Sequence, residues 1–228
     1  MYKLAVILAA GLCLSGCATA PDKNDPYEST NRRLFAFNQR IDSLALRPTA
    51  ERYVTYVPEG VRDAVYNALQ NLDGPMIFVN DVLQGQPRKA GETAGRFLLN
   101  STFGAAGLFD VGTRVGIPPH REDFGKTLAG WGVGQGPYLM LPLLGPVYPR
   151  DAAGQVVDLG MDPILYFPVK GRLFWIIGQK YLTVLDTRAR NLEMLDDIER
   201  GSIDFYATTR SLYQQHREYE IRNGMPPP

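Results

Sequence analysis

The feature that most constrains this fold is a run of 23 residues, Thr127–Pro149, without a charged side chain. A stretch of that length is typical of a helix that crosses a membrane, which needs about 20 residues. Four prolines interrupt the run, and each removes a backbone donor and disfavours helix in the preceding residue. Five glycines add further backbone freedom. A membrane-spanning helix is therefore excluded for this segment.

Two interpretations of the uncharged segment remain. Irregular backbone is tolerated at membrane depth only where protein covers it or where it lines a polar cavity. The segment is therefore either a buried loop in a soluble core or the wall of a passage in a membrane-seated protein. Taken by itself, its sequence favours the buried loop.

The N-terminus carries an export signal. Lys3 is followed by the short apolar run Leu4–Leu14 and two small residues, a pattern typical of a cleaved signal peptide. Cys17 comes next, and the end of this stretch resembles the lipobox of bacterial lipoproteins. The resemblance implies that Cys17 becomes the lipid-bearing first residue, since several acyl chains give stable attachment. The alternative is an ordinary signal peptide that happens to contain a cysteine. A lipid anchor would favour the interpretation of the uncharged segment as the wall of a membrane passage over that of a buried loop.

Length, charge and cysteine use narrow the class of protein. The chain without its signal suits one domain with a core. Lys and Arg number 24, as do Asp and Glu, so we expect no nucleic-acid partner. Of the two cysteines, Cys13 lies in the signal and Cys17 would be acylated, which leaves no disulfide or cysteine metal site. Lipoproteins that are sorted to the inner membrane resemble one another in carrying aspartate directly after the lipidated cysteine. This chain has Ala18 at that position, which favours the outer membrane.

We divide the chain into four parts. Residues 1–16 are the signal peptide, 17–26 a lipidated tether, 27–224 a helical domain and 225–228 a loose C-terminal end.

The first helix of the domain is predicted to begin near a cap at Ser29–Asn31. Leu34, Phe37, Ile41 and Leu44 recur at helical spacing and share one face. That face either packs in a soluble core or lies in a membrane interface with arginines reaching out to the headgroups.

Further helices follow from breakers and periodicity. We expect one helix from Pro58 to Leu72, a break at Asp73–Pro75, a helix over Met76–Gln84 and another from Pro87. The uncharged run Phe97–Phe109 suits a buried or re-entrant segment.

The C-terminal third is predicted to be helical as well. An apolar stripe comprises Phe174, Ile177, Tyr181, Val184, Leu185, Leu192 and Leu195 and ends near Gly201. A last helix is capped by Ser202 and closes at Asn223 and Gly224.

Catalytic motifs are absent from the sequence. His120 and His216 have no metal-ligand spacing, no serine lies in G-x-S-x-G, and the glycines after Gly130 lack the spacing of a nucleotide loop. The adjacent carboxylates Glu122 and Asp123 would point apart on a helix. We therefore expect no enzyme activity, metal or cofactor.

A set of glycine, proline, aromatic and charged positions resembles the MlaA (VacJ) lipoproteins over residues 25–224. The matching positions are Asp25–Glu28 with Asn31 and Arg32, Leu83–Gly85, Arg96–Asn100 with Gly107 and Asp110, Glu122–Gly125, the glycine-rich run from Trp131 to Tyr138, Leu141 and Pro142 with Gly145, Arg150 and Asp151 with Gly154, and Thr187–Ala189. Relatives often carry a longer acidic tail, which this chain lacks after Pro228.

The resemblance implies a mainly α protein: a single-domain ring of amphipathic helices with Gly/Pro-rich irregular segments around a lipid channel. Seated in the inner leaflet of the outer membrane, such proteins take mislocalised phospholipids from the outer leaflet towards the periplasm. They associate with trimeric porins and pass lipid to a soluble periplasmic carrier of the Mla system. The function implied is intermembrane phospholipid transport that maintains outer-membrane lipid asymmetry.

The uncharged segment suits a lipid path, because a phospholipid needs polar groups for its headgroup beside apolar groups for its tails. We expect six side chains to line that path: Trp131, Tyr138, Leu139, Met140, Leu141 and Leu143. A structural lipoprotein that braces a porin is the main alternative. A lipid-hydrolysing enzyme is a weaker one, since the sequence shows no nucleophile and base.

Anchoring by lipid can be tested at Cys17. Cys17→Ser should abolish acylation and lipoprotein processing, because the thiol that carries the first lipid is lost. Metabolic labelling with radioactive palmitate measures the incorporation. Labelled, fully processed Cys17→Ser protein would contradict the prediction.

Overall fold

The computed structural model describes residues 25–166, 170–223 and 225. The expected signal peptide, Cys17, most of the tether and the terminal prolines lie outside these residues. Within them the fold is mainly helical, as expected, with two short strands. No helix of this described part is long and apolar enough to cross a bilayer.

The N-terminal helices form one continuous rod. Helix α1 (Glu28–Ile41) passes through a π-helical turn (Asp42–Leu46) into α2 (Arg47–Tyr56). The predicted cap at Ser29–Asn31 is wrong, because α1 begins before Ser29. The Asn31 side chain instead donates to Asp25 at 2.7 Å and to the Tyr138 carbonyl at 3.1 Å. Asp25, placed in the tether by the sequence, is fully buried.

Helices α3 (Glu59–Leu83) and α4 (Pro87–Thr102) form an antiparallel pair. The predicted break at Asp73–Pro75 is wrong, since α3 runs through Pro75 without interruption. Packing against α4 accounts for this continuity: a Cβ on Gly74 would lie 3.0 Å from the Phe97 ring. The start of α4 at Pro87 is confirmed.

The next elements carry the uncharged segment. A short helix α5 (Val111–Arg114) precedes α6 (Phe124–Gly130), after which strands β1 (Leu139–Leu141) and β2 (Gly145–Val147) form an antiparallel hairpin. Helix α7 (Pro149–Gly160) follows. The segment Thr127–Pro149 is thus no membrane-spanning helix, as expected, although the hairpin makes it more regular than the sequence indicated.

Three helices complete the chain after a 3-10 turn (Pro163–Leu165): α8 (Arg172–Arg190), α9 (Leu192–Gly201) and α10 (Phe205–Ile221). The end of α9 at Gly201 is confirmed. The predicted cap at Ser202 is wrong: Asp204 caps α10 by accepting from the Ala207 amide. Its carboxylate also binds Arg32 of α1, which fixes the cap to another helix.

Six helices contact one another in a closed circuit. In order around it, α3 contacts α6, α6 contacts α10, α10 contacts α9, α9 contacts α2, α2 contacts α8, and α8 returns to α3. Two separate buried clusters stabilise different parts of the circuit. One contains Tyr138, Met140, Tyr148 and Tyr206, and the other contains Ala50, Leu185 and Ala189.

The sequence predicted that the run Phe97–Phe109 is either a buried or a re-entrant segment. The structure contradicts the first of these. Leu98, Phe103 and Phe109 are all exposed. Its turn takes Ala105 and Ala106 into left-handed backbone, with φ values of 53° and 59°. Apolar side chains on a strained turn are typical of a site that contacts something else.

Helices α6 and α7 approach so closely that a methyl group does not fit between them. A Cβ on Gly154 would lie 2.4 Å from the backbone nitrogen of Gly125. We expect Gly154→Ala to lower the free energy of unfolding by about 3 kcal/mol through overpacking. The matched control is Gly160→Ala on the same helix, where a Cβ meets nothing within 4 Å, and a change below about 1 kcal/mol is expected. Thermal unfolding followed by circular dichroism measures both, and equal stabilities would contradict the prediction.

Candidate functional site

Five of the six expected lipid-path residues lie in or beside the hairpin, and they differ in exposure. Tyr138 and Met140 are 1% and 2% exposed and belong to the aromatic core beneath the hairpin. Leu139 and Leu141 are half-buried on β1. Leu143 is 70% exposed at the tip. Strand alternation explains the division along β1, since successive side chains point to opposite faces.

Trp131 lies on the surface at the end of α6. Its ring is 55% exposed, meets Phe124 edge to face at 5.7 Å, and donates from Nε1 to the Leu83 carbonyl at 3.2 Å. An indole held at one edge by a backbone acceptor and open on its other surfaces suits a boundary between apolar and polar media.

The hairpin tip presents two leucines on a fixed backbone. Leu143 and Leu144 are each 70% exposed, and Leu143 takes a left-handed φ of 65°. Asn38 of α1 holds this turn: its Nδ2 donates to the Leu141 carbonyl at 2.9 Å and its Oδ1 accepts from the Leu143 amide at 2.8 Å. The exposed leucines are therefore positioned by hydrogen bonds from a helix.

Helix α8 exposes the apolar stripe that the sequence identified. Phe174, Ile177, Tyr181 and Val184 are exposed, whereas Leu185 is buried. Leu173 and Trp175, which the periodicity did not include, are exposed too, so Leu173–Ile177 is an uninterrupted apolar stretch near the start of α8. An exposed apolar patch of this kind marks a surface that contacts a membrane or another protein. The predicted face of the first helix is divided. Phe37 and Ile41 of α1 and Leu44 of the π-helical turn are exposed, whereas Leu34 packs against the buried aromatic cluster.

Asp25 anchors the start of the fold. The periodicity of the sequence did not indicate this structural role. Its Oδ1 accepts from Asn31, and its Oδ2 accepts from the Tyr206 hydroxyl and from Arg210 at 3.1 Å. Burial and the hydrogen bond to Asp25 raise the pKa of Tyr206. Asp25 and Asn31 stood among the matching positions of the family resemblance, which was the available signal.

Arg217 of α10 joins the two ends of the uncharged segment. Its guanidinium donates to Asp123 at 2.7 Å, before the segment, and to Asp151 at 3.0 Å, after it. Burial acts to raise the pKa of Asp123, but the hydrogen bonds and charge of Arg217 outweigh it, so the pKa is lowered. Arg217 thus ties two carboxylates, one on each side of the segment, to a single buried guanidinium.

The adjacent carboxylates and the histidines have structural surroundings. Glu122 is buried against Lys126 at 2.9 Å, whereas Asp123 turns to the α6 N-terminus and Arg217. His120 contacts Asp81 at 3.0 Å, and His216 is exposed. Among the described residues no group of three His, Cys, Asp or Glu side chains could hold a metal ion.

A cavity of about 80 Å³ lies between α3 and α4, lined by polar groups that include Asn71, Arg96 and Asn100 together with Phe97. It is too small for a phospholipid, so it is not the expected path. Arg96 is committed to Asp110 by two hydrogen bonds of 2.9 Å each. The cavity therefore belongs to the packing of this helix pair.

The sequence profile of the family described as MlaA lipoprotein matches residues 23–220. A protein of Rickettsia bellii is 35% identical over 210 residues, covering 92% of this chain and 80% of that protein.

Two named relatives cover still more of the chain. The intermembrane phospholipid transport system lipoprotein MlaA of Escherichia coli is 34% identical, covering 97% of this chain and 89% of its own. The protein of the same name in Haemophilus influenzae is 32% identical and covers 95% and 89%. A solved structure described as the structural basis for maintenance of bacterial outer membrane lipid asymmetry has a TM-score of 0.76 and 34% identity, covering 87% of this chain and 100% of that one.

Arginine substitutions distinguish the two faces of the hairpin. Met140→Arg should lower the free energy of unfolding by roughly 4 kcal/mol, because an unpaired charge enters the aromatic core. Leu143→Arg should change it by less than about 0.5 kcal/mol, since the side chain is exposed. Thermal unfolding of the purified lipoproteins measures both. Equal loss of folded protein in the two variants would contradict the assignment of faces.

Proposed function

The chain belongs to the MlaA lipoprotein family, and from that premise we propose that it removes mislocalised phospholipids from the outer leaflet of the outer membrane. The lipids pass through an amphipathic channel to a soluble periplasmic carrier of the Mla system, which maintains lipid asymmetry. No bond is made or broken in this transfer, and no cofactor is required.

The observation that carries the proposal is the closed circuit of six helices with two separate buried clusters. Such a circuit can surround a passage, because its helices do not pack on one common core: one cluster joins α2 to α8, and the other joins α10 to the hairpin and α1. The charge-free segment supplies backbone polar groups beside exposed apolar side chains. These are the two environments that a phospholipid headgroup and its tails require.

The wall of this path is assigned to the exposed part of the uncharged segment. Trp131, Leu143 and Leu144 are open to contact with lipid. Tyr138 and Met140 are enclosed by protein. We therefore propose that they do not contact lipid and that they stabilise the hairpin from beneath. Leu139 and Leu141 remain candidates at the edge of the hairpin.

Membrane placement follows from an acylated Cys17 and the exposed apolar helices. We assign the protein to the inner leaflet, on the periplasmic side, with the exposed face of α1 and the first turns of α8 in hydrocarbon. Arg33 and Arg40 are exposed on α1, and their long side chains can reach the headgroup layer. A trimeric porin is the proposed protein partner in the membrane.

Two other functions make different predictions. A structural lipoprotein that braces a porin needs no passage, and it leaves surface phospholipid unchanged when it is deleted. A lipid-hydrolysing enzyme needs a nucleophile beside a base. Incubation of the purified protein with labelled phospholipid tests the enzyme: release of free fatty acid or lysophospholipid would contradict transport alone.

Transport is tested by complementing a deletion strain. We expect the deletion to raise surface-exposed phospholipid several-fold and the unaltered gene to restore the low level. Leu143→Arg should be present at near-normal levels yet change surface phospholipid, because a charge enters the lipid path. Val156→Arg on α7 is the matched control, since Val156 is exposed but lies outside the segment. A deletion strain with normal surface phospholipid would favour the porin brace.

A further inference from the structure

An open groove of about 540 Å³ lies beside the π-helical turn, where α1 passes into α2. Phe37 and Arg40 of α1, Ser43 of the turn and Glu199 of α9 contribute to its lining. π-helical turns within longer helices are frequent at functional sites. The groove shares no lining residue with the hairpin wall, but Phe37 and Arg40 also belong to the exposed surface of α1 that is assigned above to the membrane.

Ion pairs on the surface and at its edge hold the π-helical turn in place. Asp42 accepts from Arg188 of α8 at 2.9 and 3.0 Å. Arg47 donates to Asp196 of α9 at 2.7 Å and to Glu51 at 3.1 Å. The charges of Asp42 and Arg47, which also line the groove, are therefore committed to protein partners.

Arg40 and Glu199 are the remaining charged residues of the lining, and both are exposed. In the part of the chain that the structure describes, neither forms an ion pair, although the negative charge of Glu199 also acts on Arg47. The groove thus offers one cation and one anion on two different helices. A ligand that carries both a negative and a positive charge would complement the two.

We propose that this groove binds the headgroup of a zwitterionic phospholipid, with the phosphate on Arg40 and the ammonium on Glu199. Guanidinium groups bind phosphate oxygens through charge-assisted hydrogen bonds. Phe37 and Ile41 are exposed on the same helix and provide apolar surface for the start of the acyl chains. The inference rests on the proposed function, because it names the class of phospholipid that the protein receives.

Selectivity follows from the anion in the groove. Phosphatidylethanolamine presents both a phosphate and an ammonium group. Phosphatidylglycerol presents only the phosphate, so it gains nothing from Glu199 and is repelled by it. Free inorganic phosphate has no ammonium either, which separates a lipid headgroup from a general anion site.

The test is a lipid titration of the acylated, full-length lipoprotein in detergent micelles, read by native mass spectrometry. Arg40→Glu and Glu199→Lys should each weaken binding of phosphatidylethanolamine at least fivefold. Glu199→Lys should leave binding of phosphatidylglycerol unchanged or tighter. The double variant exchanges the two charges, and it should restore phosphatidylethanolamine binding to within twofold because the zwitterion can bind in the reverse direction.

Matched controls lie on α2 and α9. Arg52→Glu on α2 and Glu193→Lys on α9 change exposed charges that do not line the groove, and each should change binding less than twofold. Thermal unfolding checks that the variants fold. O-phosphoethanolamine should displace phosphatidylethanolamine at concentrations where inorganic phosphate does not.

Several results would overturn the inference. These are equal binding of both lipids, equal effects of the control variants, no recovery in the charge exchange, or equal displacement by inorganic phosphate. A failure of this inference can be distinguished from a failure of the proposed function, because lipid binding is measured without any transport partner. A deletion strain with normal lipid asymmetry would refute transport and leave this binding measurement unaffected.

Discussion

Arg217 holds the carboxylates on either side of the uncharged segment, Asp123 before it and Asp151 after it. Breaking a buried ion pair on one side costs about 3–5 kcal/mol. Gly125 is small because the same contact occupies its surroundings: a Cβ there would lie 2.6 Å from Asp151 and 2.7 Å from Arg217. The uncharged segment is too rich in glycine and proline to form a helix. One side chain, Arg217, fixes both of its ends.

Between those ends, the hairpin gives the segment two faces. Asn31 accepts from the Met140 amide at 2.9 Å and Asn38 holds the tip, so α1 sets the register of the exposed leucines. One face packs on Tyr148, which directly precedes α7, and on tyrosines of α10, and the other remains available to lipid. Asp25, the first residue that the structure describes, is bound into this region by Asn31, Tyr206 and Arg210.

The sequence predicted the elements that local chemistry determines, such as the start of α4 at Pro87 and the exclusion of a membrane helix. It failed where distant contacts decide. Pro75 stays helical because α4 packs on its helix, and Asp204 displaces Ser202 as a cap because Arg32 also binds it. The burial of Tyr138 could not be predicted without the strand pairing that sets its face. Arg217 gave no periodic signal, since its partners are distant in sequence.

The central claim is that one face of the uncharged segment contacts phospholipid. A photocrosslinking amino acid introduced singly at Trp131, Tyr138, Met140, Leu143 and Leu144 in living cells tests it directly. Mass spectrometry then identifies the crosslinked lipid. Crosslinks to phospholipid at Trp131, Leu143 and Leu144, and none at the two buried positions, are the predicted result. Absence of lipid crosslinks at every exposed position in folded protein would contradict the claim. The segment would then not form the wall of a lipid path.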